Sequence, residues 1–164
     1  MPITLREDNK EFLFRVCGVL IKDGRILLHE TKDKTGLVLP GGRAEINETT
    51  SQTVVREFKE ELNIEVSAKR MLWVIENFHA YGKPNLHEHG IYYLVECRDQ
   101  LEVHSNRFAG VESDIPLTFA WIELSALSDT SIYPKALKEL IHHIAADASI
   151  KHVVNHDWVS SNDE

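Results

Sequence analysis

The sequence predicts an α/β layered domain. Short apolar runs with strand character recur along most of the chain, two segments carry helical spacing instead, and those helices are interleaved with the strands. At 164 residues, with 43% apolar and 27% charged positions, the chain is long enough to bury one substantial core and too short for two, so a single domain over 1–164 is expected. Residues 1–10 and 160–164 are expected to be poorly ordered ends.

The elements follow in order. Phe12 to Ile21 is largely apolar, Asp23-Gly24 is a turn signal, and Ile26 to His29 resumes the apolar run, which together predict a hairpin. After a polar loop from Thr31 to Gly36, Leu37-Val38-Leu39 forms a short strand. Pro40-Gly41-Gly42 stops it, because proline ends ladder pairing and paired glycines let the backbone bend or approach a ligand. From Asn47, a candidate N-cap, to Leu62 the pattern is helical, with Val55, Phe58 and Leu62 on one face and Asn63 able to take the left-handed cap. Strands are expected at Lys69 to Phe78, His89 to Glu96, Phe119 to Ile122 and Ser149 to Val154. Pro134 opens a last helix with Leu137, Leu140, Ile141, Ile144 and Ala145 facing the core.

Charge and composition narrow the function. The formal net charge is −8, and no run of Lys or Arg offers to neutralise a line of phosphates, which disfavours nucleic-acid binding. An acidic protein would repel a small polyphosphate as well, unless bound divalent cations reverse the local field. The apolar runs are far shorter than the ~20 residues a bilayer requires, and no signal peptide is visible, so no membrane partner and a cytoplasmic location are expected. Cys17 and Cys97 sit in strand-like segments and read as small buried hydrophobes.

The helix from Asn47 to Leu62 carries the chemistry. Glu57, Glu60 and Glu61 stand at i, i+3 and i+4 and so share one stripe, where their mutual repulsion calls for an offset. A solvated acidic face is the ordinary reading of such a stripe. Its position just after a glycine pair, with the positive end of the helix nearby, points instead to hard divalent cations with oxygen ligands.

Gly42 to Ile64, GRAEINETTSQTVVREFKEELNI, resembles the Nudix box, G-x5-E-x7-R-E-U-x-E-E-x-G-U with U bulky: Gly42, Glu48, Arg56, Glu57, Glu60 and Glu61 are in register, and Phe58 and Ile64 fill bulky places. At about one chance in ten per fixed residue, six matches arise by accident about once in a million starts, or on the order of once in ten thousand chains of this length. Asn63 stands where the family usually has glycine, and asparagine is the next best residue for a left-handed cap. The resemblance implies the Nudix α/β/α sandwich, a mixed sheet between helices. The activity it implies is metal-dependent hydrolysis of the diphosphate in a nucleoside diphosphate linked to another group.

By the same resemblance, Glu57, Glu60 and Glu61 with the Gly41 carbonyl ligate Mg²⁺ or Mn²⁺, while Arg56 and Glu48 brace the helix. Glu60 is the first choice of general base and Glu88 the second. In strand alternation Glu88 faces the metals only if His87 and His89 turn away. Arg43 and Arg15 are candidates for substrate phosphates, with an ordinary surface position the alternative for Arg15. Trp73 and Trp121 are expected in the core. Tyr81, 17 residues after Ile64, resembles a sub-pattern of diadenosine polyphosphate hydrolases and is a candidate for stacking on adenine. That favours dinucleoside polyphosphates over ADP-ribose or nucleotide sugars. The rival function is a Nudix-like nucleotide sensor without turnover. Family members are often homodimers.

Overall fold

In a computed structural model, which describes residues 1–98, 105–145 and 149–157, the chain runs β1 (Thr4–Glu7), β2 (Lys10–Val19), β3 (Ile21–Lys22), β4 (Arg25–Glu30), β5 (Leu37–Val38), β6 (Gly41–Arg43), α1 (Thr50–Leu62) and β7 (Val66–Phe78). It continues with β8 (Leu86–Cys97), β9 (Arg107–Ala109), β10 (Thr118–Glu123), β11 (Ile132–Tyr133), α2 (Leu137–Leu140) and β12 (Lys151–His156). One sheet has the order β1-β2-β8-β7-β12, with β6 also on β2; the other is β11-β5-β4-β10-β9, with β3 on β4. Both are mixed: β2 runs parallel to β8, β12 to β7 and β11 to β5.

The near-continuous apolar run Val16 to Leu20 follows from burial on both faces. Cys17 and Val19 join a core with Ile26, Leu28, Ile75, Tyr92, Leu137 and Ile141, which includes α2. Val16 and Leu20 join the opposite core, with Leu27, Ile91, Phe119 and the α1 residues Val54, Phe58 and Leu62. A helix therefore seals each side of the sheet material, and the expected α/β/α layering is present. Trp73 and Trp121 are buried, as expected of large aromatics.

Local details depart from the sequence expectations. The first residues are held rather than loose: β1 pairs with β2, and the Ile3 N–H donates to the Ala44 carbonyl at 2.8 Å. The end at 160–164 lies outside the described residues. The expected hairpin shrinks to β3 and β4 around Asp23-Gly24, both at positive φ, because the long strand before it belongs to the other sheet. Thr49, not Asn47, caps α1: its hydroxyl accepts from the Gln52 N–H while the Gln52 side chain accepts from the Thr49 N–H. This reciprocal pair satisfies two otherwise orphaned donors, which a lone Asn47 would not. Asn47 instead takes a left-handed turn, φ 67°. Asn63 adopts the expected left-handed cap, φ 55°. The last helix is short, passing from α2 into a 3₁₀ turn at Ile141–His143, so Leu137 and Ile141 are buried while Ala145 is exposed.

The most constrained backbone is at β6. Gly41 has φ 149°, and a Cβ there would lie 2.1 Å from the Val16 carbonyl oxygen of β2. Gly24 also has positive φ, 75°, but a Cβ there meets nothing within 4 Å. Gly24→Ala is therefore expected to cost about 1 kcal/mol, the usual left-handed penalty, and Gly41→Ala several times that, because main chain must separate. Urea unfolding of both variants measures the difference. Equal midpoints would mean that β6 can shift off β2 freely.

Candidate active site

The bent Gly41-Gly42 backbone lies between β2 and α1, and the helix turns two of its glutamates back onto it. A Cβ on Gly42 would fall 2.3 Å from the Glu57 carboxyl carbon, so only glycine lets the carboxylate rest against the strand. Glu61, one turn on, accepts the Gly41 N–H and is 6% exposed. Its Oε2 is buried with no hydrogen-bond partner. Burial pushes its carboxyl up to about 8; Arg15 opposes this, while Glu57 and Glu112 add to it. Burial also raises Glu57, against the pull of Arg56.

Glu60 takes a different direction. Its side chain is 50% exposed and pairs with Arg56 at 3.1 Å. The stripe is therefore graded, with Glu57 and Glu61 turned inward and Glu60 toward solvent. Among the described residues, no three His, Cys, Asp or Glu side chains converge into a ready-made metal cage. A hard divalent cation nevertheless fits this chemistry: an orphaned buried carboxylate oxygen, a second raised carboxylate beside it, and a bent glycine backbone. Magnesium commonly uses one or two carboxylates and keeps waters and substrate oxygens for the rest.

Arg56 is saturated by the protein itself. It forms a two-point pair with Glu48 (Nε to Oε1 2.7 Å, Nη2 to Oε2 2.9 Å), and it also donates to Glu57 at 2.6 Å, to Glu60 and to the Arg43 carbonyl at 3.2 Å. Glu48 additionally accepts from the Thr53 hydroxyl and the Glu45 N–H, and its carboxyl falls to about 2, chiefly through the Arg56 hydrogen bonds. This pair is a brace between the loop before α1 and the glutamate stripe.

Arg15 and Tyr81 do not stand free for substrate. The Arg15 guanidinium donates to Cys17 Sγ (3.2 Å), the Tyr81 hydroxyl (3.0 Å), the Leu39 carbonyl (3.2 Å) and the Gly41 carbonyl (3.3 Å). The Tyr81 hydroxyl donates in turn to Glu88. The tyrosine's polar tip is thus enclosed, and its ring meets the Tyr133 ring edge-on. Glu88 faces inward while His87 packs on Phe12 and Phe78 and His89 on Phe14, the alternation that the strand required. The Glu88 carboxylate is 1% exposed and belongs to the Arg15–Tyr81 cluster. Arg43 is exposed and donates to the Thr4 hydroxyl at 3.0 Å. Directly opposite Arg15 in the β2–β6 ladder, it shares that residue's face.

Two residues of the site escaped the sequence reading. Glu112 lies in the loop after β9, which docks on the end of α1 through the Val111 N–H and the Glu61 carbonyl, 2.8 Å apart, and its charge acts on Glu61. Asp157, just past β12, accepts the Tyr81 N–H at 3.0 Å. Neither has a local pattern to mark it, because each reaches the site only through tertiary contact.

Known proteins resemble this chain in sequence and in fold. The family model described as the NUDIX domain matches residues 13–143. The CTP pyrophosphohydrolase of Escherichia coli (strain K12) is 30% identical over 131 residues, covering 68% of this chain and 92% of that protein. An ADP-ribose pyrophosphatase of Methanocaldococcus jannaschii is 42% identical over 62 residues, only 36% of this chain and 37% of that protein. In fold, a NUDIX hydrolase from Nitrosomonas europaea superposes with a TM-score of 0.64 at 18% identity, covering 93% of this chain and 82% of that one. With its box glutamates arrayed on α1 against a bent glycine pair, and with the family model spanning most of its length, the chain belongs to the Nudix family.

Proposed function

We propose that this protein is a pyrophosphohydrolase that uses Mg²⁺ or Mn²⁺ to cleave the diphosphate of a nucleoside diphosphate linked to another group. The observation that carries the reading is Glu61: a buried carboxylate beside Glu57 with one oxygen unpartnered, a state that is costly unless a cation completes it. Glu57, Glu61 and the Gly41 carbonyl would hold that cation. Bound there, it supplies charge neutralisation at the diphosphate and acidifies nearby water. Arg56 keeps Glu57 aimed at Gly42, and Arg43, exposed on the Arg15 face, is suited to a phosphate oxygen.

Glu60 is the proposed general base, since it is solvent-facing on the same stripe and its single contact with Arg56 is an exposed pair of little strength. A second reading, favoured by the docking of its loop on the end of α1 at the Glu61 carbonyl, gives that role to Glu112. Tyr81 supports a preference for dinucleoside polyphosphates only through its spacing from the box. Its enclosed hydroxyl weakens the stacking argument, so CTP and ADP-ribose, named for the relatives, are compared on equal terms.

Glu61→Gln is expected to lower kcat by more than about a hundredfold, the scale of losing a principal charge-stabilising group, in a folded protein. Assay on CTP, ADP-ribose, a nucleotide sugar and diadenosine tetraphosphate, with and without chelator, tests this and ranks substrates. Full turnover in excess chelator would overturn the proposal, and binding of these nucleotides without turnover would favour the sensor reading.

A comparison of Glu60→Gln, Glu112→Gln and Glu88→Gln separates the candidate bases. Glu60→Gln is expected to slow the chemical step most while substrate KM changes less. A larger loss in Glu112→Gln, with metal affinity intact, would move the role to the loop.

The raised Glu61 carboxyl sets a pH signature. The folded state holds its proton up to about pH 8, whereas the unfolded chain releases it near 4.5. Between those values the folded protein binds more protons, so this group's contribution to metal-free stability falls as pH rises. Thermal melting without metal should show a decline over that window that Glu61→Gln removes. Added Mg²⁺, which needs the ionised carboxylate, should stabilise more at the upper end. Identical pH profiles for the two proteins would contradict the assignment.

A further inference from the structure

We propose that the C-terminal strand sets the direction of the Gly41 carbonyl, through a chain of positioning residues running from Asp157 through Tyr81 to Arg15. The inference rests on the reading above that this carbonyl faces the cation. The residues at its far end, Asn155 and Asp157, lie outside the span 13–143 matched by the family model.

The chain begins where β12 joins β7. The Asp157 carboxylate accepts four N–H groups, each at 3.0 Å: Asn77 Nδ2 and the Tyr81 N–H on Oδ2, and the Lys135 N–H and Asn155 Nδ2 on Oδ1. Asn155 Nδ2 also reaches Asn77 Oδ1 at 2.7 Å, and Asn155 Oδ1 accepts the Ala136 N–H at 3.2 Å. One carboxylate thus joins four parts of the chain, with Asn77 0% and Asp157 3% exposed. Charge-assisted bonds of this kind are the strong ones, and a fully satisfied buried network holds a single geometry.

Its effect at the site comes through Tyr81. The residue is held in a left-handed conformation, φ 56° and ψ 26°, uncommon for a tyrosine and kept here by the Asp157 bond to its N–H. That conformation sends the hydroxyl between Arg15 and Glu88, accepting from one and donating to the other. Arg15 then has its Nη2 on the Leu39 and Gly41 carbonyls, on either side of Pro40. Without the hydroxyl, Glu88 and Arg15 would be left facing each other as opposite buried charges. Their attraction would draw the guanidinium away from the two carbonyls.

The experiment titrates Mn²⁺ into the full chain by calorimetry and follows melting by circular dichroism. Tyr81→Phe, which keeps the ring, is expected to weaken Mn²⁺ binding about tenfold, the usual scale for a partner behind a metal ligand, and Asp157→Asn to do the same. Adding Glu88→Gln to Tyr81→Phe removes the pull on Arg15 and should restore most of the affinity, a rescue that loss of packing alone does not produce. Mn²⁺ binding by Tyr81→Phe within twofold of wild type, or a double variant no tighter than Tyr81→Phe, would overturn the proposal. Should Asp157→Asn fail to fold, the Tyr81 pair decides. Glu61→Gln is the control: if it binds Mn²⁺ as wild type does, the metal reading itself falls and takes the inference with it. If it loses Mn²⁺ while Tyr81→Phe does not, only the positioning chain is wrong.

Discussion

The close approach of Gly41-Gly42 to β2 on one side and α1 on the other is the constraint around which the site is built. A side chain at either position would collide, at Gly41 with the Val16 carbonyl and at Gly42 with the Glu57 carboxylate. Gly18 of β2 gives α1 room to seat Val54 and Phe58, while the glycine pair of β6 lets Glu57 and Glu61 reach the backbone at that strand's bend. The glycines therefore serve packing and chemistry through the same geometry, bringing a carboxylate stripe and the Gly41 carbonyl within one small volume.

Electrostatic balance then divides the site into finished and unfinished parts. All five N–H donors of Arg56 are engaged, and Glu48 is held far below the ordinary carboxylate range by that contact. Arg15 is similarly occupied by a sulfur, a hydroxyl and two carbonyls. Glu61 is the exception, with one unpartnered oxygen and a carboxyl raised to about 8 by burial. Among the described residues no other buried carboxylate oxygen lacks a partner, so Glu61 is where an incoming cation gains most. Two saturated arginines fix the frame while one carboxylate is left to be completed.

Legibility in the sequence followed the range of the interactions. Asn63 as the helix cap and Asp23-Gly24 as a turn depend on the conformation of single residues, and both appear where expected. Alternation fixed only that Glu88 and its neighbours His87 and His89 lie on opposite faces of the strand, and packing decided that the Glu88 face is the buried one. The misreadings needed knowledge of partners. Thr49 displaced Asn47 because Gln52 could reciprocate, and the expected hairpin was divided because its long strand found β8 in a different sheet. Residues 1–10 looked loose in isolation and are fixed by pairing with β2 and Ala44. Tyr81 and Arg15 were expected to reach substrate; in the structure the Tyr81 hydroxyl lies between Arg15 and Glu88, and Arg15 is held further by Cys17, Leu39 and Gly41, partners that no local spacing reveals.

By itself, the sequence determined the layered α/β class, the family and the spacing that places Glu57, Glu60 and Glu61 on one helical stripe, since periodicity and fixed spacing are local properties of the chain. Only the tertiary structure decided which of those glutamates is buried and which meets solvent, that the loop carrying Glu112 docks on the end of α1, and that Asp157 reaches Tyr81 across 76 residues of sequence. Burial and long-range hydrogen bonding depend on which surfaces meet, and no spacing along a single strand or helix encodes that meeting.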